Sequence, residues 1–316
     1  WRGQPARHES FSPVTLSNME KSKKGGMLDW LTGAVGRVRD FAYPESAGGK
    51  GRARVGLALS GGFARGIAHI GVLRVLEEQG IPVDCIAGTS VGALIGAAYA
   101  SGTTLDKMAL EGIATKFSDF GRWTLSRLGL ASNMRLEDFL AKFTPCKTFE
   151  ELTLPLAVAA TDLGSGNTAY FTSGDLVKAI RASCAYPGLF VPVVVNGRTY
   201  VDGFVTEPVP VEGARRLGAD LVIAVHLATG SMEKKPGSMF EVIGRSFSIL
   251  QQTAEYHWRP KCDVLIEPNC VDVDWDEFSK TPELIAAGES ATRLALPAIR
   301  AALANPRKPG QVGAAN

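Results

Sequence analysis

The stretch Cys85-Ile86-Ala87-Gly88-Thr89-Ser90-Val91-Gly92-Ala93-Leu94 decides how this chain folds. A short apolar run enters Gly-x-Ser-x-Gly, and an Ala/Gly/Leu-rich helical segment leaves it. The pattern predicts a strand that turns sharply into a helix, with Gly88 and Gly92 letting the backbone bend tightly around Ser90. The serine hydroxyl then projects from the end of a sheet. The partial positive charge at the next helix's N-terminus favours negative charge beside it. This is how a protein presents a nucleophilic serine. The pentapeptide also arises by chance, so its context has to support it.

Upstream lies Val55-Gly56-Leu57-Ala58-Leu59-Ser60-Gly61-Gly62-Phe63-Ala64-Arg65-Gly66. An apolar strand ends at Ser60, and a glycine-rich turn opens a helix through Ile67, Ile70, Leu73, Val75 and Leu76, which stops near Gly80 and Pro82. Successive backbone N–H groups at such a turn form a concavity for an anion, either a phosphate or the oxyanion of acyl transfer. A dinucleotide fingerprint fits poorly. Phe63 takes the place of its second glycine, and Asp84, at about the right spacing for the ribose-binding acid, precedes its strand instead of ending it. No Gly-Lys-Ser/Thr follows the turn, which excludes a P-loop. Downstream, Arg198-Thr199-Tyr200-Val201-Asp202-Gly203-Phe204 carries Asp202 into an Asp-Gly turn, a signal that taken alone is equally a plain turn.

In this order the three segments resemble the patatin-like phospholipases, serine acyl hydrolases that work with a Ser–Asp dyad. The resemblance runs from Arg54 to about Leu303. Ser60–Gly66 corresponds to the family's oxyanion-hole loop, Gly88–Gly92 to its nucleophile elbow and Asp202-Gly203 to its catalytic turn. Ala160-Thr161-Asp162-Leu163 and Arg181-Ala182-Ser183-Cys184-Ala185-Tyr186-Pro187-Gly188-Leu189-Phe190 match two further landmarks. The resemblance implies an α/β fold, a three-layer α/β/α sandwich with a mainly parallel central sheet. It implies Ser90 as nucleophile, Asp202 as base, and an oxyanion hole built by Gly61, Gly62 and Phe63, with Arg65 adding positive character or bracing the loop and Gly66 closing it. It implies phospholipid or another acyl-ester lipid as substrate, with no metal and no organic cofactor.

Two positions depart from the family pattern. Phe63 stands where a third glycine is usual, and a positive φ there makes phenylalanine costly. Phe204 stands where glycine or alanine is usual and is expected to narrow the acyl pocket. Aspartate is a weak base by default, about 2.6 pKa units below histidine, so the dyad expects burial to raise Asp202.

Rival readings remain at this point. Ser90, Asp202 and His226 satisfy the chain order of an α/β-hydrolase triad, with His226 closing the apolar run Leu221–Val225. The glycine loop in the unit just before the serine favours the dyad. A non-catalytic protein binding phosphate or a lipid headgroup on the same fold, and a lipid transacylase, are the alternatives. His69 and His257 read as packing residues and His8 as part of a tail, and no His/Cys/Asp/Glu group has metal-ligand spacing.

Composition bounds the rest. The chain has 316 residues, 45% of them apolar, and a formal charge of +2, too balanced for a nucleic-acid partner. No run reaches the ~18 apolar residues of a membrane span. Cys85, Cys146, Cys184, Cys262 and Cys270 are scattered and odd in number, as for reduced thiols, so the expected location is intracellular, either cytoplasmic or peripherally membrane-associated. Oligomeric state is not legible.

Residues 1–50 are expected to be a disordered basic tail followed by a short amphipathic helix over Met27–Phe41. That helix either packs on the domain or makes a peripheral membrane contact. Residues 51–304 form the catalytic domain, with a motif-bearing core at about 55–215, and 305–316 a disordered tail. Phe117–Leu128 mixes aromatics with cations and reads as an acyl-channel wall, a bilayer contact or core. Central strands are expected at Val55–Leu59, Val83–Ala87, Leu156–Thr161 and Leu221–Val225. Shorter pieces, antiparallel as one option, are expected at Asn167–Phe171 and Val193–Val201. Thr281-Pro282-Glu283 reads as a helix start with Thr281 as N-cap, running to about Leu303 with a disturbance at Pro297.

Overall fold

A strand that is apolar at every position must be covered on both faces, and the middle of this sheet is built from such strands. The computed structural model describes residues 52–116, 119–228, 237, 239–274 and 276–305. The expectations for residues 1–50, for the tail from 306 onward and for the Trp123 side chain lie outside the described residues. In chain order the first elements are β1 (Val55–Leu59), α1 (Ala68–Glu78), β2 (Cys85–Thr89), α2 (Val91–Ala100) and α3 (Leu105–Ala114). A small hairpin, β3 (Arg122–Ser126) and β4 (Gly129–Ser132), precedes α4 (Arg135–Phe143). Then come β5 (Leu156–Asp162), β6 (Thr168–Phe171), α5 (Leu176–Ser183), β7 (Val193–Val195), β8 (Arg198–Asp202) and α6 (Val211–Arg216). The last elements are β9 (Leu221–Val225), α7 (Met239–Trp258), β10 (Val264–Ile266) and α8 (Thr281–Ala304).

The main sheet runs β10-β9-β1-β2-β5-β8-β7, with β6 also paired to β5. Neighbours from β10 to β5 are parallel, and β6 and β8 run antiparallel to β5, with β7 antiparallel in turn to β8. Alternation along the strands sets the layers. Gly56, Cys85 and Ala87 face α6, where Ala214 and Gly213 pack close, while Leu59 and Ile86 face Gly96 of α2. Helices therefore cover both faces, and the fold is the expected three-layer α/β/α sandwich.

Edge use on β5 positions the site. β2 pairs with Leu156–Ala159, β6 with Val158–Thr161, and β8 with Ala160–Asp162. A strand has only two edges, so the overlap with β6 puts β2 and β8 on the same edge of β5, end to end. The chain that leaves β2 at Ser90 thus meets the C-terminal residue of β8, Asp202.

Two local expectations are corrected. β2 begins at Cys85 rather than Val83 and runs to Thr89, directly into Ser90. The reason is Asp84, whose carboxylate accepts the Val55 amide at 2.7 Å and pairs with Arg52 at 2.6 Å, making residue 84 a bracket rather than a strand position. Thr281 is not the N-cap of α8. It is already helical, its hydroxyl donates to the Phe278 carbonyl at 2.8 Å, and Lys280 takes the cap position. Pro297 lies inside α8 without ending it. The Val193–Val201 piece is a hairpin whose Asn196 and Gly197 both take positive φ (49° and 77°), the backbone of a two-residue turn that matches strand twist.

Candidate active site

The residue after β2, Ser90, has φ 55° and ψ −124°, a backbone that L residues rarely hold and that a strand-to-helix elbow imposes. The tightness of the elbow explains its glycines. A side chain at Gly88 would strike the Ala93 backbone, and one at Gly92 would strike the Leu59 carbonyl. The bend is pinned from outside as well. Thr89 Oγ1 donates to the Glu207 carbonyl at 2.8 Å, and the Ser90 amide donates to Ser183 Oγ at 2.8 Å.

Ser90 Oγ donates to Asp202 Oδ2 at 2.8 Å, across 112 positions of sequence. The other carboxylate oxygen, Oδ1, accepts the Phe204 amide at 2.9 Å, and the Asp202 amide is tied to the Ala185 carbonyl. Asp202 is 2% exposed. Burial pushes its carboxyl up to about 7, against the Phe204 amide and the Ser90 hydroxyl, which favour the charged form. Ser90 therefore faces a carboxylate of near-neutral basicity without an intervening histidine.

His226 is placed elsewhere, which corrects the triad reading. Its Nδ1 lies 3.3 Å from Glu267 Oε1, its Nε2 3.8 Å from Glu255 Oε1, and its ring meets Trp258 edge-on at 5.2 Å. These partners belong to the β9–β10 side of the molecule, and the Ser90 hydroxyl already has Asp202. His69 is structural: Nε2 donates to the Ser60 carbonyl at 2.9 Å, and burial lowers its pKa to about 4.

The glycine loop lies over the elbow. Ser60 Oγ accepts the Leu227 amide at 3.1 Å, and the Gly61 amide donates to the Pro208 carbonyl at 3.3 Å. That second bond ties the glycine loop to the segment that follows the Asp202-Gly203 turn. Arg65 braces the loop: its Nε donates to the Val273 carbonyl at 2.8 Å, and burial lowers its pKa. Gly66 packs against Val91 at the start of α2.

Phe63 has φ 53°, so the substitution that looked costly in sequence is made at a left-handed position. A non-glycine residue there costs about 1–2 kcal/mol. Its ring packs between Phe120 (5.5 Å between centroids) and Phe278 (5.8 Å), and dispersion and burial offset that strain. Phe204 meets Tyr186 at 6.0 Å and Phe247 of α7 at 6.5 Å, so it joins the Asp202-Gly203 turn to that helix as well as lining the pocket.

Dyad, loop and elbow open on one cavity of about 990 Å³. One part is apolar, lined by Leu94, Ile95, Met108, Leu136, Phe139 and Phe143 from α2, α3 and α4. Another part is polar, with Glu241, Arg245 and Ser248 of α7 and Asp272, Asp274 and Asp276. Phe120 lines the cavity and stacks on Phe278 at 5.4 Å, so this part of the Phe117–Leu128 segment is cavity wall.

Two neighbours of Ser90 escaped the sequence reading. Ser183, fully buried, accepts the Ser90 amide and donates to the Ala159 carbonyl at 2.6 Å. The Cys184 thiol lies against Ser90 and Asp202, and burial pushes its pKa up, keeping it protonated. Both stand in the Arg181–Phe190 landmark, which was the available signal.

Comparison with known proteins bears on this geometry. A family model described as patatin-like phospholipase matches residues 57–215. An uncharacterized NTE family protein of Mycobacterium bovis is 37% identical over 182 residues, covering 57% of this chain and 50% of that protein. Lysophospholipase nte1 of Aspergillus fumigatus is 35% identical over 189 residues, covering 57% of this chain but 12% of that protein. The chain thus spans half the length of the mycobacterial relative and a small part of the fungal one. The crystal structure of VipD from Legionella pneumophila superposes with a TM-score of 0.51 at 14% identity, covering 79% of this chain and 67% of that one, a likeness of fold.

Proposed function

Because the chain belongs to the patatin-like phospholipase family, we propose that it is a lipid acyl hydrolase that uses Ser90 and Asp202 as a catalytic dyad. The observation that carries the reading is the 2.8 Å hydrogen bond from Ser90 Oγ to a buried carboxylate at the wall of a cavity with an apolar arm. Among the relatives, the fungal protein is named a lysophospholipase, so single-chain lysophospholipids are the first substrates to test.

The steps follow from the groups present. Ser90 Oγ attacks the ester carbonyl carbon and its proton passes to Asp202 Oδ2. The negative charge on the carbonyl oxygen is met by backbone amides of the Ser60–Gly66 loop and by the N-terminus of α2. Collapse breaks the ester bond, and the departing alcohol takes the proton from Asp202. Water then attacks the acyl-serine, giving its proton to Asp202, and the carboxylic acid leaves as Ser90 regains its hydrogen. The apolar arm holds the acyl chain throughout.

The test uses the full chain. A fluorophosphonate probe is expected to label the wild type and not Ser90→Ala, and hydrolysis across a panel of lysophospholipids, phospholipids and neutral acyl esters is lost in parallel. Removing the base in Asp202→Asn lowers kcat by about 10²–10⁴-fold. A wild type that binds lipid but neither reacts with the probe nor cleaves any ester on the panel returns the headgroup-binding alternative. Added alcohol acceptors separate hydrolysis from acyl transfer in the same assay.

A further inference from the structure

Helix α7 is apolar on two sides. Its inner side meets the site: Phe247 packs on Tyr186 at 5.5 Å and on Phe204 at 6.5 Å, and Ile243, Gly244, Arg245 and Ser248 line the cavity. Its outer side carries Val242, Ile249 and Tyr256, spaced by seven residues, which drift by only about 20° around the helix per step. They are 50%, 51% and 83% exposed, and Leu250 beside them is 61% exposed. Gln251 and Trp258, also seven apart, are the buried counterparts on the opposite side. Among the described residues, none buries the outer row.

Charge narrows what covers it. The remaining exposed positions from 246 onward, Ser246, Gln252, Thr253 and His257, include no acid. Glu241 turns a carboxylate oxygen to the Gly237 amide at 2.7 Å, and Glu255 pairs with Arg259 at 3.0 Å. The row is therefore apolar and free of carboxylates, the surface that lies well in the headgroup region of a bilayer, whose own charge is neutral or negative. Position points the same way. The opposite side of the same helix lines the cavity beside Ser90 and Asp202, so a bilayer seated on the outer row lies one helix away from that cavity.

We propose that the outer face of α7 is a docking surface for a phospholipid bilayer, seated through Val242, Ile249, Leu250 and Tyr256. The purpose of such docking rests on the lipid-hydrolase reading, but its test does not. Vesicles of phosphatidylcholine doped with phosphatidylglycerol are floated with the Ser90→Ala chain, which prevents turnover, and with the same chain bearing Val242→Ser, Ile249→Ser and Leu250→Ser. The parent is expected to float with the vesicles, and the triple substitution to weaken vesicle affinity at least about tenfold. With Ser90 intact, the triple variant should turn over a soluble short-chain ester within about twofold of wild type, since exposed substitutions cost little, while hydrolysis of vesicle lipid falls. Equal flotation of parent and triple variant overturns the proposal. So does a parent that ignores vesicles, or one that sediments as a dimer which the triple substitution dissolves. Ester hydrolysis that survives Ser90→Ala would remove the catalytic reading alone and leave the flotation result standing.

Discussion

In the proposed mechanism Asp202 has two jobs that pull its protonation in opposite directions. As a base it has to be ionised, yet burial raises its carboxyl to about 7. The mechanism therefore predicts that kcat/KM climbs as pH rises through about 7, following one ionisation, and levels off above it. Folding responds with the opposite sign. A carboxyl whose folded pKa lies above its unfolded value of about 3.9 gives its full contribution below that pH and loses it as pH rises through the folded value. Asp202→Asn, though slow, should thus melt higher than wild type by on the order of a few degrees at pH 8, with a smaller advantage at pH 5.5. Calorimetry of both proteins at the two pH values checks this; an advantage that shrinks with pH would contradict the assignment. The need for a raised aspartate was legible in the sequence, because a dyad without histidine demands it. The strain at Phe63 was legible only as a condition, since φ is decided by the fold and the compensating rings of Phe120 and Phe278 come from distant segments.

Among the elements, the meeting of β2 and β8 on one edge of β5 is what makes a dyad from two turns. Each turn was visible in sequence, and their order suggested that they meet. Their shared edge was not visible, because strand pairing is a long-range choice that no local pattern encodes. The same limit hid Ser183. A serine closing the helix Leu176–Ser183 reads as an ordinary helix end, and only the packing of α5 on β5 puts its hydroxyl between the Ala159 carbonyl and the Ser90 amide. Ser183→Ala leaves that amide buried without its acceptor, a cost of about 1–3 kcal/mol. Because the lost bond fixes the elbow rather than the substrate, kcat should fall while KM stays close to wild type. Steady-state kinetics alongside a melting curve read both effects, and a variant that lost KM alone would place Ser183 in binding instead. His226 shows the converse: its position at the end of β9 was read correctly, but chain order alone could not show that Glu267, Glu255 and Trp258 claim its ring.

At the scale of the molecule, the proposed chemistry sits where an apolar part of the cavity wall meets a polar one, and neither part belongs to a single segment. Leu94, Ile95, Met108, Leu136, Phe139 and Phe143 come from three helices, and in sequence each reads simply as core. Apolar side chains that line a cavity lack packing partners on one side, so that surface stays under-packed until a chain fills it. The dyad offers a way to fill it in a controlled manner, since a fluorophosphonate leaves its alkyl group attached to Ser90. Each methylene that enters the apolar arm is worth about 0.8 kcal/mol, and about 1 kcal/mol moves the melting point of a domain this size by about 2–4 °C. Adducts of increasing alkyl length should therefore melt progressively higher, then level off once the arm is full and further methylenes reach solvent. Thermal denaturation of the adduct series reads this directly. Leu136→Asn, which makes the arm polar, should flatten the rise without preventing labelling, because the substitution leaves Ser90, Asp202 and the loop amides in place. A series with no dependence on alkyl length would mean that the chain lies outside the arm, and acyl recognition would then have to be sought on the polar side, near Arg245 and Asp272.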